Sequence, residues 1–301
     1  MTIQKLSSSS HPIISIVTPC YNRGEKLSLM LEDVIEGIPN NAIEIILSDD
    51  SSEESSSSSL LEFSRKFPDA VVYRKNESRL GFAKNLIQAI HLSNGEYVLI
   101  LIDEDSLVVE NLTILIEDII KNHYHFMAFS YLLDHMKIDA LEVAEVPEIE
   151  VLGTLRHPAG LVIRKELVDE AIQNQFVLDA IDKTPQYPAI PIGLYCASKF
   201  RIHKYFLTII KVKDTAVEPE NTPNASFMPN NKSKFVSKGS NWTPDGIVPT
   251  YVIFSSRATQ IEAYIEMIYS IMSSANIKSF PFIKLLKSAL DELIYILLEE
   301  G

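Results

Sequence analysis

The chain has 301 residues, of which 46% are hydrophobic, and it carries a formal net charge of −13. This length and hydrophobic content are typical of a globular protein with one large or two smaller domains. The acidic charge argues against nucleic acid as a partner, because non-specific binding to phosphates requires a basic surface.

Cysteine usage and the N-terminal sequence bear on the cellular compartment. Cys20 and Cys196 are far apart, so neither a disulfide framework nor a Cys-rich metal site is indicated. Residues 1–12 are polar and lack the charged and apolar regions of a signal peptide. No apolar stretch approaches the roughly 20 residues of a membrane helix. We expect a cytoplasmic protein, with peripheral contact at the inner face of a membrane left open.

Strand and helix patterns alternate over the first hundred residues. Glu25–Glu36 has the apolar spacing of an amphipathic helix, and a second such helix begins at Gly81. The run Ser55–Ser59 indicates a flexible, solvated linker. Repeated strand–helix units predict an α/β fold with a mostly parallel, helix-covered sheet. The predicted strands are Ile13–Val17, Ile43–Leu47, Ala70–Tyr73 and Tyr97–Ile102.

Beyond residue 105 the alternation is less regular. Asp214–Pro249 is rich in Pro, Asn, Ser and Gly, which predicts a long loop or lid. Thr259–Leu298 predicts two amphipathic helices, and the apolar stripe of the last one, Phe282–Leu298, suits core packing or a dimer contact. The remaining predicted helices are Leu107–Ile120, Lys165–Gln173 and Tyr187–Ser198, and the remaining strands are Phe126–Leu133, Leu161–Ile163 and Phe206–Val212.

An acidic motif follows the fourth predicted strand. Its apolar run ends in Asp103-Glu104-Asp105, which has two aspartates with one residue between them. Ligands of open α/β sheets bind beyond the carboxyl ends of the strands. Hard cations are often held there by one or two carboxylates together with substrate phosphates. The motif therefore predicts a metal–diphosphate site, and its alternative interpretation is a solvated acidic loop.

Three further polar loops belong to the same edge of the predicted sheet. They are residues 18–23, 48–52 and 76–81, which follow the first, second and third strands. In these loops Asp49 can accept hydrogen bonds from a base and a ribose, and Tyr21 offers an aromatic face to a base. Arg79 or Lys84 can pair with phosphate charge. The combined chemistry suits a nucleotide diphosphate.

With these motifs the sequence resembles the family 2 glycosyltransferases, which have the GT-A fold and act with inversion. The resemblance rests on Ile14–Arg23, Glu44–Ser52, Asn76–Asn85 and Asn94–Asp105, in this order. It covers roughly the first 110 residues, and four ordered motifs are more specific than any single one. The implied architecture is a Rossmann-like, mostly parallel sheet flanked by helices, with a C-terminal helical extension.

The resemblance also implies roles for individual residues. Asp103 and Asp105 form the metal motif for Mn²⁺ or Mg²⁺, with Asp105 ligating the cation and Asp103 contacting ribose or a metal-bound water. Glu104 occupies the variable middle position. The nucleotide-sugar set comprises Thr18, Pro19, Tyr21, Arg23, Asp49, Asp50, Arg79, Lys84 and Asp103.

The sequence departs from the family at the general base. Many relatives carry a Glu-Asp pair at the start of a later helix, whereas residues 184–187 here, Thr-Pro-Gln-Tyr, contain no carboxylate. The nearest acids, Asp182 and Asp179, are the candidate catalytic residues, and both also suit a plain surface role. The Tyr-Pro pattern resembles the abequosyltransferase-like branch. For the acceptor, the candidates are His157 beside a Pro-Ala-Gly turn and Trp242, with structural roles as the alternative.

The predicted protein is a metal-dependent hexosyl- or deoxyhexosyltransferase of cell-surface polysaccharide synthesis. Its expected partners are a nucleotide diphosphate sugar and a glycan or lipid-linked acceptor, and homo-oligomerisation through the C-terminal helices is left open. A non-catalytic nucleotide-sugar binding module is the first alternative, and a nucleotidyltransferase is the second. The predicted catalytic domain spans 1–250, with a nucleotide-binding part at 12–110 and an acceptor part at 111–250, and amphipathic helices span 251–301.

Overall fold

A computed structural model describes residues 11–38, 42–103, 105–132, 143–146, 154–155, 158–185 and 187–211. The strands are β1 (Ile14–Cys20), β2 (Ile43–Asp49), β3 (Val71–Lys75), β4 (Tyr97–Ile100), β5 (Ser106–Leu107), β6 (Phe126–Leu132), β7 (Val143–Glu145), β8 (Leu161–Arg164) and β9 (His203–Lys211). The helices are α1 (Gly24–Gly37), α2 (Glu54–Lys66), α3 (Phe82–Leu92), α4 (Val109–Asn122), α5 (Lys165–Gln173), α6 (Gln175–Lys183) and α7 (Ala189–Lys199).

The described strands form one sheet in the order β3-β2-β1-β4-β8-β6-β9-β5, with β7 paired to β9. Strands β1 to β4 run parallel to one another, and β6 and β9 run in the same direction. The remaining strands, β5, β7 and β8, run the opposite way. The predicted mostly parallel sheet is thus confirmed, with the reversals confined to the half that follows β4.

Helices cover both faces of the sheet because alternate side chains of each strand point in opposite directions. Val17, Ile46 and Ile100 pack on the face that carries α3, α5, α6 and α7. Ile16 and Ile45 pack on the other face, together with α1, α2 and α4. These strands are buried on both sides, which explains why they consist of nearly continuous apolar residues.

The serine run of α2 corrects one prediction. Ser55–Ser59 is helical rather than a linker, and Ser56 and Ser57 are buried. The Ser56 hydroxyl accepts a hydrogen bond from the backbone N–H of Gly24 at 2.8 Å. A Cβ atom on Gly24 would lie 2.0 Å from the Ser56 carbonyl oxygen. The small residues therefore allow the N-termini of α1 and α2 to approach closely.

A buried carboxylate fixes the edge of the sheet where β1, β2 and β4 begin. Glu44 accepts hydrogen bonds from the Ser15 hydroxyl at 2.5 Å and from the backbone N–H groups of Asn94 and Gly95 at 2.5 and 3.0 Å. The turn that ends α3 is thereby tied to both neighbouring strands. These contacts set the register with which β4 enters the sheet.

Helix α6 was not predicted from the sequence. Asn174 separates α5 from α6. Its side-chain oxygen caps α6 by accepting from Phe176 N at 3.0 Å and from Val177 N at 3.4 Å. No described helix is long and apolar enough to span a membrane. The predicted loop at 214–249 and the predicted helices at 259–298 lie outside the described residues.

Candidate functional site

The functional residues lie at the edge of the sheet where strands β1 to β4 end, which we call the carboxyl edge. Because these four strands are parallel and adjacent, the loops that follow them meet there. Thr18 and Pro19 lie inside β1 and are buried, whereas Tyr21 and Arg23 follow the strand and are half-buried. The predicted clustering of the motif residues is therefore present at this edge.

The loop after β1 contacts the acidic motif after β4. The backbone N–H of Tyr21 donates to Asp103 Oδ2 at 3.0 Å, and Arg23 Nε lies 4.0 Å from Asp103 Oδ1. The Arg79 guanidinium lies over the Tyr21 ring, 4.4 Å from its centroid. This cation–π contact covers one face of the ring. A base can therefore stack on that face only if it displaces Arg79.

Asn22 joins the loop after β1 to the start of α2. It adopts a left-handed backbone conformation with φ of 55°, which Asn tolerates better than most residues. Its side-chain oxygen accepts from the backbone N–H groups of Ser52 and Glu53 at 2.9 and 3.1 Å. Its own N–H donates to the Ser51 hydroxyl at 2.9 Å. No role for Asn22 was predicted from the sequence.

Asp49, the last residue of β2, is fully buried and surrounded by donors. Its Oδ1 accepts from Ser51 N at 2.8 Å, its Oδ2 accepts from the Tyr73 hydroxyl at 3.0 Å, and Lys75 Nζ lies 3.5 Å from Oδ2. Burial raises the pKa of Asp49, but the polar groups of Ser51, Ser57 and Tyr73 outweigh it and leave the pKa below its usual value. Asp49 is therefore ionised at neutral pH and acts as an acceptor.

Asp50 serves a different purpose from its neighbour. Its carboxylate accepts from Asn76 Nδ2 at 2.8 Å, from Leu80 N at 3.0 Å and from Gly81 N at 2.7 Å. Gly81 has φ of +78°, which favours glycine. These contacts fix the loop that carries Arg79 and the start of α3. Asp50 was predicted to lie near the nucleotide, and its contacts are those of a residue that holds the loop.

Asn76 and Asn85 extend this network into the sheet. Asn76 Nδ2 donates to Asn85 Oδ1 at 2.9 Å, and Asn85 Nδ2 donates to the Ser48 carbonyl at 3.0 Å. Asn85 is 2% exposed, so its amide meets its hydrogen-bonding requirement at the end of β2 rather than with water. Asn76 and Asn85 belong to the motif that carried the family resemblance. Their role here is to position the loop, since both amides bind protein groups.

Asp103 and Asp105 are the candidate metal ligands. Asp105 is buried, and the Asp103 side chain is 13% exposed. Carboxylate oxygens suit Mg²⁺ or Mn²⁺, so the donor chemistry of this pair fits the predicted cation. Among the residues that the structure describes, no group of three or more His, Cys, Asp or Glu side chains could hold a metal ion. A cation bound to these two carboxylates would complete its shell with phosphate oxygens or water.

The remaining predicted site residues lie on helices α3 and α6 or outside the described residues. Lys84 is exposed in the first turn of α3. Asp179 and Asp182 are exposed on α6, and Asp179 accepts from Gln175 Nε2 at 2.7 Å. His157 and Trp242 lie outside the described residues. Tyr73 and Lys75 were missed, although the alternation of β3 places both on one face beside the end of β2.

Residues 15–140 match the family model described as glycosyl transferase family 2. Abequosyltransferase RfbV of Salmonella typhimurium is 31% identical over 104 residues, which cover 34% of this chain and 31% of that protein. The match thus spans about a third of the relative.

Solved structures are similar over most of the chain at low sequence identity. S. aureus TarS 1–349 superposes with a TM-score of 0.62 at 15% identity, over 92% of this chain and 70% of that one. TarS 1–349 in complex with UDP-GlcNAc gives 0.59 at 17% identity, over 92% and 71%. Mannosyltransferase PcManGT from Pyrobaculum calidifontis, in complex with GDP-Man and Mn²⁺, gives 0.54 at 12% identity, over 97% and 74%.

At these identities the structural matches show the fold, and the family match adds the N-terminal motifs. The GT-A-like architecture predicted from the sequence is therefore confirmed. Together with the matched residues 15–140, it confirms the predicted resemblance of this chain to glycosyl transferase family 2.

Proposed function

We propose that the protein is a glycosyltransferase that moves a sugar from a nucleotide diphosphate donor to a hydroxyl group of a glycan or lipid-linked glycan. The observation that carries this proposal is the meeting of three groups at the carboxyl edge. They are the ionised acceptor Asp49, the stacked pair Tyr21 and Arg79, and the acidic motif bonded to the Tyr21 loop. Binding of nucleotide sugars by the structural neighbours and the family match support the same class of substrate.

The proposed reaction is a single displacement with inversion. The acceptor hydroxyl loses its proton to a base and attacks the anomeric carbon, while the bond from that carbon to the diphosphate oxygen breaks. The leaving group departs with the electron pair of the broken bond, which adds one negative charge to the diphosphate and calls for nearby positive charge. Arg79 and Lys84 are the cationic residues that we assign to it. Arg23 already lies beside Asp103, and this contact holds the acidic motif in place.

We assign Asp103 and Asp105 as the residues that would hold Mn²⁺ or Mg²⁺. A bound divalent cation would supply a positive charge that stabilises the departing diphosphate. PcManGT, one of the structural neighbours, is in complex with Mn²⁺ and GDP-Man, which supports this assignment. Because protein donors are few here, we expect the cation to bind weakly unless a nucleotide diphosphate is present.

Asp182 is the general base that we propose, with Asp179 as the alternative. It lies in the last turn of α6, just before the segment that leads into α7. It is exposed, so an acceptor can reach it from solvent. A base must come within hydrogen-bond reach of the hydroxyl that it activates, and Asp182 meets this requirement only if the acceptor binds beside α6.

The proposal also covers the pathway, the cellular location and the domain organisation of the protein. Polysaccharide synthesis agrees with the abequosyltransferase relative, which matches 104 residues of this chain. We further propose a cytoplasmic location with a lipid-linked acceptor met at the inner membrane face, a catalytic domain at 1–250 and self-association through 251–301. His157 and Trp242 stay candidates for acceptor binding.

A thermal-shift screen tests the proposed donor site. UDP, dTDP, GDP, CDP and ADP would each be added with and without Mn²⁺, and bound ligand would raise Tm by mass action. We expect one nucleotide to raise Tm by several degrees in a metal-dependent manner. Asp105→Ala should abolish the metal-dependent part while leaving the unliganded Tm close to that of the wild type.

Controls separate this proposal from its alternatives. Glu110→Ala, a substitution of an exposed acid on α4, should leave every shift unchanged. Unaltered metal-dependent binding by Asp105→Ala would contradict the metal assignment. Binding without transfer of sugar to any acceptor would favour a binding module. Release of pyrophosphate from a nucleoside triphosphate would favour a nucleotidyltransferase.

A further inference from the structure

Three side chains at the carboxyl edge form a row across neighbouring strands. The strand register pairs Cys20 of β1 with Asp49 of β2, and Asp49 with Lys75 of β3. Tyr73 lies two residues before Lys75 and therefore points to the same face of the sheet. Cys20 and Tyr73 both pack in the core that α1 and α2 cover. Asp49 is thus enclosed by its strand neighbours and by α2.

The contacts of Asp49 restrain both of its oxygens. Ser51 N and the Tyr73 hydroxyl donate to different oxygens, which fixes the rotation of the carboxylate plane. Lys75 Nζ lies 3.5 Å from Oδ2 and also donates to the Ser51 carbonyl. The Lys75 side chain is 40% exposed, whereas that of Asp49 is 0% exposed. The row is therefore closed around Asp49 and open to solvent at Lys75.

We propose that Tyr73 and Lys75 are positioning residues for the nucleotide base, which act by orienting the Asp49 carboxylate. This inference rests on the proposed function, in which Asp49 contacts the base. Tyr73 holds Oδ2 while Ser51 N holds Oδ1, so the orientation of the carboxylate is fixed. Lys75 lies beside Asp49 and donates to the backbone carbonyl of Ser51. The Ser51 hydroxyl in turn accepts from the backbone N–H of Asn22, in the loop after β1.

The charge of Asp49 gives this arrangement a measurable signature. Burial, followed by the charge of Asp49, raises the pKa of Tyr73, so its hydroxyl remains a donor throughout the working pH range. Besides Tyr73 and Lys75, the titratable group facing Asp49 from β1 is the Cys20 thiol, which burial keeps neutral, and α2 presents the uncharged Ser57. Removing the Tyr73 hydroxyl should therefore raise the pKa of Asp49.

The direction of the pH effect follows from this shift. A protonated Asp49 has lost acceptor capacity, so affinity for the base falls as pH drops through the pKa of Asp49. A raised pKa moves that loss to higher pH. In Tyr73→Phe the acidic limb of the binding profile should therefore move to higher pH.

Calorimetric titration with the tightest-binding nucleotide diphosphate from UDP, dTDP, GDP, CDP and ADP, in the presence of Mn²⁺, tests the inference. We expect Tyr73→Phe to bind about tenfold more weakly at pH 7 and to show the shifted acidic limb. Lys75→Met should also bind more weakly, and Lys75→Arg should recover part of the affinity. The same ligand is used throughout, so titration of its phosphates cancels between variants.

Tyr195→Phe is the matched control because the Tyr195 hydroxyl donates to Glu170 at 2.9 Å on the opposite face of the sheet. It removes a phenol–carboxylate hydrogen bond of nearly the same length and should bind nucleotide as the wild type does. Wild-type affinity and pH profile in both Tyr73→Phe and Lys75→Met would overturn the inference while leaving the proposed function intact. A wild-type protein that binds no nucleotide would overturn both. Should Tyr73→Phe fail to fold, Lys75→Met carries the test, since Lys75 is partly exposed.

Discussion

At the scale of single residues, Asp49 and Asp50 follow one another in the chain and have different surroundings. Asp49 faces α1 and α2 and binds groups near the proposed base site. Asp50 binds the backbone of Leu80 and Gly81. The sequence indicated two acidic groups at this edge but could not distinguish their roles. The two roles differ because the carboxylates point in different directions from the end of β2. Asp49 points toward Tyr73, and Asp50 points toward the loop that contains Gly81.

The general base is the residue-scale assignment that a pair of variants tests. We expect Asp182→Asn to reduce kcat of sugar transfer at least about a hundredfold with little change in donor affinity, because an amide cannot accept the proton. Initial rates and donor titrations measure both quantities.

Asp179→Asn provides the comparison on the same helix. Asp179 is exposed and binds Gln175 one turn earlier, so its loss should change transfer only slightly. Full activity in Asp182→Asn together with a large loss in Asp179→Asn would transfer the role to Asp179. Full activity in both variants would exclude α6 as the source of the base.

At the scale of elements, periodicity predicted most of the first hundred residues. The apolar runs of β1, β2 and β4 and the spacing in α1 and α3 are strong local patterns. The serine run was misjudged because composition suggested solvation, whereas these serines pack against α1. Helix α6 was missed because the break at Asn174 comes from side-chain capping rather than from a change in hydrophobic pattern.

The close contact of α1 with α2 supplies an element-scale prediction. Gly24→Ala should lower the free energy of unfolding by about 1–3 kcal/mol, because its Cβ would overlap the Ser56 carbonyl and force the helices apart. Urea unfolding followed by far-UV circular dichroism measures the loss.

Ser55→Ala is the control that tests whether an exposed serine of α2, outside the contact with α1, contributes to stability. Ser55 is exposed in the same helix, and alanine has the higher helix propensity, so stability should be unchanged or slightly greater. Equal stability of Gly24→Ala and the wild type would mean that the two helices can separate without cost.

At the scale of the whole molecule, one sheet separates two hydrophobic cores. Neighbouring residues of the same strand, such as Val98 and Leu99, enter different cores. Neither core can lose its strands without exposing the other. The described part of the chain should therefore unfold as a cooperative unit.

Two truncations, one in each core, test this cooperativity. Leu31→Ala on α1 and Leu86→Ala on α3 remove fully buried side chains, and each should cost about 2–5 kcal/mol of unfolding free energy. Both variants should move a single urea transition to lower concentration, with near-UV and far-UV circular dichroism changing together.

Leu29→Ala is the control, because Leu29 is on the same helix as Leu31 but is 66% exposed. Its substitution should leave the transition midpoint nearly unchanged. Two separated transitions in either core variant, seen by different probes, would show that the faces of the sheet unfold independently.

The whole-molecule fold was more predictable than the site for a physical reason. Burial imposes repeating patterns on the sequence, and these patterns are visible without coordinates. Site contacts such as that of Tyr73 with Asp49 depend on strand order, which places β3 beside β2. The reversal at β8 was equally hidden, because a short buried strand has the same composition in either direction.

The contacts of the three-residue connection from Tyr21 to Arg23 limit how this site can change in evolution. Connections usually tolerate insertions, since few contacts hold them. Here Tyr21 and Asn22 are bonded to other loops, and the glycine that follows Arg23 is bonded to α2. Because these contacts hold the connection at both ends, its length is constrained, whereas its side chains can vary. New donor preferences at this edge would therefore arise by substitution, and changes in loop length would accumulate elsewhere in the chain.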